Sequence, residues 1–125
     1  MKEIEIKAEL PYQHSRIRPF FLFPSALRLF YEIKRIEFAG NLTWLINRKY
    51  KAILLVNSSI TWEIYEKQKD LKDRVRVTLL PYGDSTYVHI HFETNRLLPL
   101  KKVLEEEVNN KIELLTDLLK SLRKW

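Results

Sequence analysis

Residues 99–124 read PLKKVLEEEVNNKIELLTDLLKSLRK, and this stretch predicts the element around which the fold is organised. Pro99 suits the first position of a helix, because its missing N–H would have no partner there. The spacing of apolar residues predicts a helix of seven turns, roughly 37 Å long, whose apolar stripe needs a large partner surface. The stripe consists of Leu100, Leu104, Val108, Ile112, Leu115, Leu119 and Leu122.

The middle of the chain supplies that partner, because it is rich in strand signals. We predict six strands near residues 33–38, 42–48, 52–56, 60–66, 74–80 and 86–93. A charged loop is predicted at 67–73 and a turn at 81–84. The short connections favour antiparallel neighbours over parallel strands with crossover helices.

The first 31 residues predict one more strand and two short helices. Residues 2–10 alternate between apolar and charged side chains, as in a half-buried strand that ends at Pro11. Two short helices should follow, joined at Phe23-Pro24, with Pro19 either near the start of a helix at Arg18 or kinking it. The apolar run 20–23 should be covered by the sheet and the long helix.

These elements predict one α+β domain over residues 1–125. Its architecture is a curved antiparallel sheet of about seven strands wrapped around a long C-terminal helix, with two short helices after the first strand. This order resembles the helix-grip fold of the START and birch-pollen-allergen superfamily (SRPBCC), and small uncharacterised archaeal proteins of that class. The resemblance covers essentially the whole chain, but the loop Asn57-Ser58-Ser59 lacks the glycines that plant members have nearby.

The resemblance implies a cavity between the sheet and the C-terminal helix that binds a small hydrophobic or amphipathic ligand. A strongly curved sheet around one helix points the same way, since such an interior is often incompletely filled. We expect the ligand-binding wall to be formed by strand residues and the helix stripe: Trp44, Trp62, Ile64, Val75, Val77, Leu79, Val88, Ile90, Phe92, Leu104, Val108, Lys111, Ile112 and Leu115.

Composition limits the other classes of function. With 46% apolar residues the chain should fold, and neither a membrane span nor a signal peptide is recognisable. The absence of cysteine excludes disulfides and thiol chemistry, and it favours a reducing cytoplasm. A surface rich in Lys, Glu and Arg, with two Gly residues, resembles the composition of thermophile proteins.

The net charge of +6 leaves a second class of function open, a module that binds nucleic acid or an acidic protein. Aromatic and basic residues alternate in places, as at Arg48-Lys49-Tyr50-Lys51, and such patterns can bind single strands by stacking. The basic charges are interspersed with acids, however, which favours an ordinary solvated surface.

Lys111 is the one charged residue that falls inside the apolar stripe of the predicted helix. It could be a buried cation aimed at the anionic head of a ligand, with Glu107 one turn before it. The alternative is a side chain whose stem packs while its ammonium reaches solvent.

His89 and His91 lie two residues apart on a predicted strand, so they share a face with Glu93 and could hold a metal. The neighbouring Val88, Ile90 and Phe92 take the inner face, which favours an ordinary solvent-facing surface and no metal or other cofactor. No short catalytic motif occurs in the chain, so a binding protein is favoured over an enzyme. A cyclase-like enzyme using the same cavity stays open.

Overall fold

The computed structural model describes residues 2–66, 70–95, 106–113 and 116–117. Helix α1 spans His14–Phe21, a 3-10 helix spans Pro24–Leu29, and residues 106–113 form a helical stretch called here the C-terminal helical segment. None of the described helices is long and apolar enough to cross a membrane. The strands are β1 (Lys2–Leu10), β2 (Ile36–Gly40), β3 (Thr43–Ile46), β4 (Tyr50–Val56), β5 (Ile60–Glu66), β6 (Leu71–Tyr82) and β7 (Ser85–Thr94).

The seven strands form one antiparallel sheet in the order β1-β7-β6-β5-β4-β3-β2. Strands β2 to β7 follow each other as simple hairpin neighbours, as the short connections predicted. The first strand of the chain lies beside the last one, with Ile6 opposite Ile90, so β1 and β2 are the two edges. The α+β class and the predicted number of strands are confirmed.

The inner face of the sheet carries the hydrophobic core. Alternation along β1, β5 and β7 buries every second side chain, including Ile6, Trp62 and Ile90. The two short helices pack on this face, where Trp62 Nε1 donates a hydrogen bond of 2.9 Å to the carbonyl of Phe21. The ring of Phe30, just after the 3-10 helix, stacks on Phe92 at 4.6 Å between ring centroids.

The C-terminal helical segment belongs to the same core. Val108 and Ile112, one turn apart on the helix, are both buried in the core cluster. The hydroxyl of Tyr12 donates a hydrogen bond of 3.5 Å to the carbonyl of Thr116, which ties the chain after β1 to the helical residues 116–117. The rest of the predicted helix 99–124, including Leu104 and Leu115, lies outside the described residues.

Several boundaries differ from the sequence predictions, and β6, for example, begins at Leu71, inside the charged loop predicted at 67–73. Strand β2 starts at Ile36 and not near Ile33, since the Asn47 side chain accepts hydrogen bonds from the backbone N–H groups of Lys34 and Arg35. Strand β6 continues through Pro81, where a turn was predicted. Proline is tolerated there because β6 pairs with β5 only as far as Val77, so no partner on that side needs its N–H.

The helical region decides one open alternative and corrects one prediction. Pro19 lies inside α1, which begins at His14, so the alternative of a helix that starts near Arg18 is excluded. The apolar run 20–23 is only partly covered, because Phe21 is buried but the side chain of Phe23 is 60% exposed. Phe23 precedes the 3-10 helix with an extended backbone, which turns its side chain away from the sheet.

Candidate ligand-binding site

An open pocket lies where α1 meets the turn between β4 and β5, over the inner side of β5 and β6. Its cavity volume is about 70 Å³, and the figure rises to about 320 Å³ only when the open mouth is counted. The lining residues are His14, Arg18, Asn57, Ser58, Ser59, Ile60, Val77 and Leu79. Ligand pockets usually combine an apolar wall with a few polar groups, and this pocket has both.

The cationic side of the pocket comes from α1. His14 and Arg18 are four residues apart, so both project from the same side of the helix. Both side chains are partly buried. In the described part of the chain no carboxylate forms an ion pair with Arg18, so its guanidinium is available to an anionic group.

The polar side of the pocket is the turn Asn57-Ser58-Ser59. The Asn57 side chain shapes it, because its Oδ1 accepts a hydrogen bond of 3.2 Å from the N–H of Ser59. The backbone N–H of Asn57 in turn donates to the carbonyl of Ser59 at 3.1 Å. The Asn57 side chain therefore closes the turn.

The predicted ligand-binding wall is divided by the structure. Val77 and Leu79 line the pocket, Trp44 and Leu79 are partly buried, and Leu104 and Leu115 lie outside the described residues. The remaining apolar members are buried in the core: Trp62, Ile64, Val75, Val77, Val88, Ile90, Phe92, Val108 and Ile112. Contact between these side chains and a ligand stays a prediction.

Lys111 sits beside the buried row of the C-terminal helical segment. Val108 and Ile112 on either side of it in the helix are buried, whereas Lys111 is partly exposed and does not line the pocket. Its role as a partner for an anionic head group stays a prediction. The structure instead places the Arg18 guanidinium and the His14 imidazole in a pocket, a role that the sequence did not predict for them.

A buried polar group that the sequence prediction missed lies on the inner face of the sheet, near the beginning of β6. Asp73 is fully buried, and its Oδ2 accepts a hydrogen bond from the Tyr31 hydroxyl. The signal was present in the sequence, since extending the inward alternation of Leu79, Val77 and Val75 by two residues reaches Asp73. A buried carboxyl beside a phenol is the kind of group that proton transfer requires, which keeps the cyclase-like alternative open.

Tyr50 lies next to this group and has an altered acidity. Lys72 Nζ donates a hydrogen bond of 3.0 Å to the Tyr50 hydroxyl and lies 4.2 Å from the ring centroid. This hydrogen bond is the main reason that the pKa of Tyr50 lies below its usual value, with smaller contributions from the nearby charges. The Lys72 ammonium also contacts Glu66 at 3.2 Å.

Replacing Lys72 by methionine should raise the pKa of Tyr50. The ammonium favours the phenolate, so without it deprotonation moves to higher pH. The measurement is an alkaline titration of phenolate absorbance, with Tyr50→Phe identifying the Tyr50 contribution among the six tyrosines. Lys51→Met is the matched control, because Lys51 lies over the ring of Tyr65 instead. A Tyr50 titration that is the same in both variants would contradict this assignment.

The basic residues are distributed among acidic partners in the described residues. Arg48 contacts Glu37 at 3.3 Å, and Arg74 contacts Glu63 at 3.0 Å and Glu93 at 3.3 Å. Such interspersed pairs are typical of a solvated surface. Binding of nucleic acid or of an acidic protein through the basic excess stays a prediction.

Comparison of the structure with solved proteins identifies the fold. A START superfamily protein from Mycobacterium smegmatis matches with a TM-score of 0.61 at 13% identity, over 95% of this chain and 94% of the other. The Aha1 dimer from Colwellia psychrerythraea matches with a TM-score of 0.68 at 14% identity, over 95% and 96% of the two chains. Ara h 8.0201 matches with a TM-score of 0.58 at 11% identity, over 97% and 96%.

These neighbours confirm the predicted START-like fold and show nothing further, because identities this low carry no function. They give no support to the archaeal part of the resemblance. No family model matches the sequence, and no curated protein matches it significantly.

Proposed function

We propose that this protein binds a small amphipathic molecule with an anionic head group. The observation that carries the proposal is the pocket between α1 and the Asn57-Ser58-Ser59 turn. It joins the Arg18 guanidinium, which forms no ion pair with the residues that the structure describes, and the His14 imidazole to an apolar floor. A carboxylate, sulfonate or phosphate head would meet these two side chains, and an apolar tail would meet the floor.

The apolar floor points the tail toward the core. Ile60, Val77 and Leu79 form it, and Ile60 and Val77 are buried by their other neighbours in the sheet. From there the inner face of the sheet continues through the predicted ligand-binding wall. The START-like fold supports this direction, because the resemblance implies a cavity between the sheet and the C-terminal helix. The proposal includes the long helix predicted over residues 99–124, which would form the wall of this cavity opposite the sheet.

The experiment that tests the function directly is native mass spectrometry of the purified protein. A small molecule that remains bound and leaves on denaturation would identify the ligand. Probe binding tests the proposal even when no ligand co-purifies. An anionic naphthalene sulfonate dye should bind to the protein and be displaced by fatty acids. Failure of both wild-type experiments would end the proposal.

Arg18→Gln should weaken binding of the sulfonate dye by about tenfold or more, the effect expected for loss of one charge-assisted hydrogen bond. Binding of a neutral apolar dye should change little, because the apolar floor is intact. Fluorescence titration of both dyes measures the difference.

Arg16→Gln is the matched control for this prediction. Arg16 is exposed on the same helix and does not line the pocket, so the variant removes the same charge from α1 without touching the site. If both variants weaken binding of the sulfonate dye equally, the effect is one of net charge, and Arg18 has no specific role.

A further inference from the structure

The outer face of the sheet carries a second cluster of chemically competent side chains, on the opposite side from the ligand pocket. β1 and β7 are neighbours there, and their register places Glu3 opposite Glu93 and Glu5 opposite His91. His89 and His91 both project outward from β7, since Val88, Ile90 and Phe92 are buried. The sequence showed the two histidines and Glu93 but could not place Glu3 beside them.

The donor atoms of this cluster surround a common point. His91 Nε2 lies 3.8 Å from Glu3 Oε2 and 3.7 Å from Glu93 Oε1. All three donor atoms fall within 4.8 Å of one another. Hydrogen bonds of this type measure about 2.7–3.2 Å, so these groups are too far apart to satisfy each other.

The same separations suit ligands of one metal ion. With metal–ligand bonds of about 2.0–2.2 Å, two ligands of a tetrahedral ion lie about 3.4 Å apart. The distances from His91 Nε2 to the two carboxylate oxygens therefore reach this value after movements of a few tenths of an ångström. Glu3 has an exposed side chain and can make the remaining adjustment by rotation, without a shift of the backbone.

His91 Nε2 is buried and has no hydrogen-bond partner in the described part of the chain. Among the residues that the structure describes, neither His91 Nε2 nor His89 Nε2 has a hydrogen bond, although both atoms are inaccessible to solvent. Buried nitrogen atoms normally find a partner, and one that lacks it needs an explanation. A bound cation between the imidazole and the carboxylates would supply that partner.

We propose that Glu3, His91 and Glu93 form a binding site for a divalent transition metal ion on the outer face of the sheet. Mixed imidazole and carboxylate donors suit Zn²⁺, Co²⁺ and Ni²⁺ better than Mg²⁺ or Ca²⁺, which take oxygen ligands. Water molecules would complete the coordination on the solvent side.

Neighbouring residues orient two of the three ligands. Arg74 donates to Glu93 Oε2 at 3.3 Å, which leaves Oε1 directed toward His91. Arg74 is itself held by Glu63 at 3.0 Å. Glu5 Oε1 lies 3.7 Å from His91 Nδ1, on the side of the ring away from the metal position, which is longer than a hydrogen bond. The exposed Glu5 side chain can rotate closer and then act as the carboxylate that metal-bound histidines usually have on their other nitrogen.

The local charge favours a dication. The cluster contains the carboxylates of Glu3, Glu5, Glu63 and Glu93, and Arg74 is the cation that pairs with two of them. Lys7 and Arg76 face the histidines from β1 and β6, opposite His89 and His91 respectively, but both are exposed to solvent. Screening by water reduces their repulsion of an ion held between Glu3 and Glu93.

The expected consequence is a crosslink between the edge strand β1 and its neighbour β7. An ion that binds the folded state alone raises its stability with increasing concentration. Zn²⁺ should therefore raise the melting temperature of the chelator-treated protein, and Mg²⁺ should leave it unchanged. Co²⁺ should give visible d–d absorption, whose intensity reports the geometry.

Calorimetric titration with Zn²⁺ tests the ligands individually. His91→Gln should weaken binding by about 100-fold or more and Glu3→Gln by about tenfold or more, because even the loss of a residue that only supports a metal ligand costs about 10–100-fold. Glu9→Gln is the control for Glu3→Gln, because Glu9 is exposed on the same face of β1 but lies opposite Tyr87. Glu3 is exposed, so its variant will fold even if His91→Gln does not.

The proposal is overturned if Zn²⁺ binds wild type, Glu3→Gln and Glu9→Gln with equal affinity, or if Mg²⁺ raises the melting temperature as much as Zn²⁺. Absence of Zn²⁺ binding by the wild-type protein would also overturn it. The ligand pocket is on the other face of the sheet, so none of these outcomes bears on the proposed function.

Discussion

Val108→Asp is expected to abolish folding. Val108 has no exposed surface and is the most deeply buried residue of the C-terminal helical segment in the described core. The substitution would bury a carboxylate without a partner and remove an apolar side chain. Together these effects exceed about 4 kcal/mol, a large part of the stability of a small domain. Circular dichroism and thermal melting of the variant measure the result.

Asn109→Asp is the matched control for this variant. Asn109 is the next residue of the same helical segment and is exposed, so it receives the same charge outside the core. Its melting temperature should stay close to that of the wild type. If Val108→Asp folds with an unchanged melting temperature, the C-terminal helical segment does not pack on the sheet as described.

Trp62→Ala should lower the free energy of unfolding by about 3–5 kcal/mol, the range found for large aromatic residues in cores. Trp62 is 1% exposed at the centre of the sheet. Its ring contacts Trp44 at 5.4 Å between centroids, and its indole N–H donates to the Phe21 carbonyl. Alanine removes the packing and leaves that carbonyl without its donor. Urea denaturation measures the loss.

Trp62→Phe separates the two contributions. Phenylalanine keeps most of the packing volume but cannot donate a hydrogen bond, so its smaller effect of about 1–3 kcal/mol reports mainly the Phe21 carbonyl. The control is Tyr65→Phe on the same strand, since Tyr65 is only partly buried and its hydroxyl contacts Glu63 at 3.4 Å. Equal effects for Trp62→Phe and Tyr65→Phe would show that the hydrogen bond to α1 contributes little.

The candidate site was predictable only in part. The apolar wall could be proposed from alternation, because residues such as Val77 and Leu79 repeat every second position and must share a face. The two side chains from α1 could not be predicted as part of the site. His14 and Arg18 lie more than 35 residues before the turn that completes the pocket. Nothing in local spacing predicts contacts between elements so far apart in the chain.

The residues of the proposed metal site were also predictable from the sequence only in part. His89, His91 and Glu93 could be assigned to one face from their spacing alone. Their partner Glu3 comes from the opposite end of the chain, and it arrives only because β1 is added to the sheet next to β7. If β1 were added at the other edge of the sheet, Glu3 would not lie beside the histidines.

The sequence by itself determined the strands with strict alternation, the two short helices and the α+β class, because these depend on local periodicity and turn residues. Only the tertiary structure decided which strands are neighbours, where β2 begins and β6 ends, and which polar side chains meet. Those features depend on contacts such as Asn47 with the backbone before β2, and on the packing that brings Arg18 and the β4–β5 turn to the same pocket. Long-range contacts of this kind form only when the whole chain packs, so no local pattern carries them.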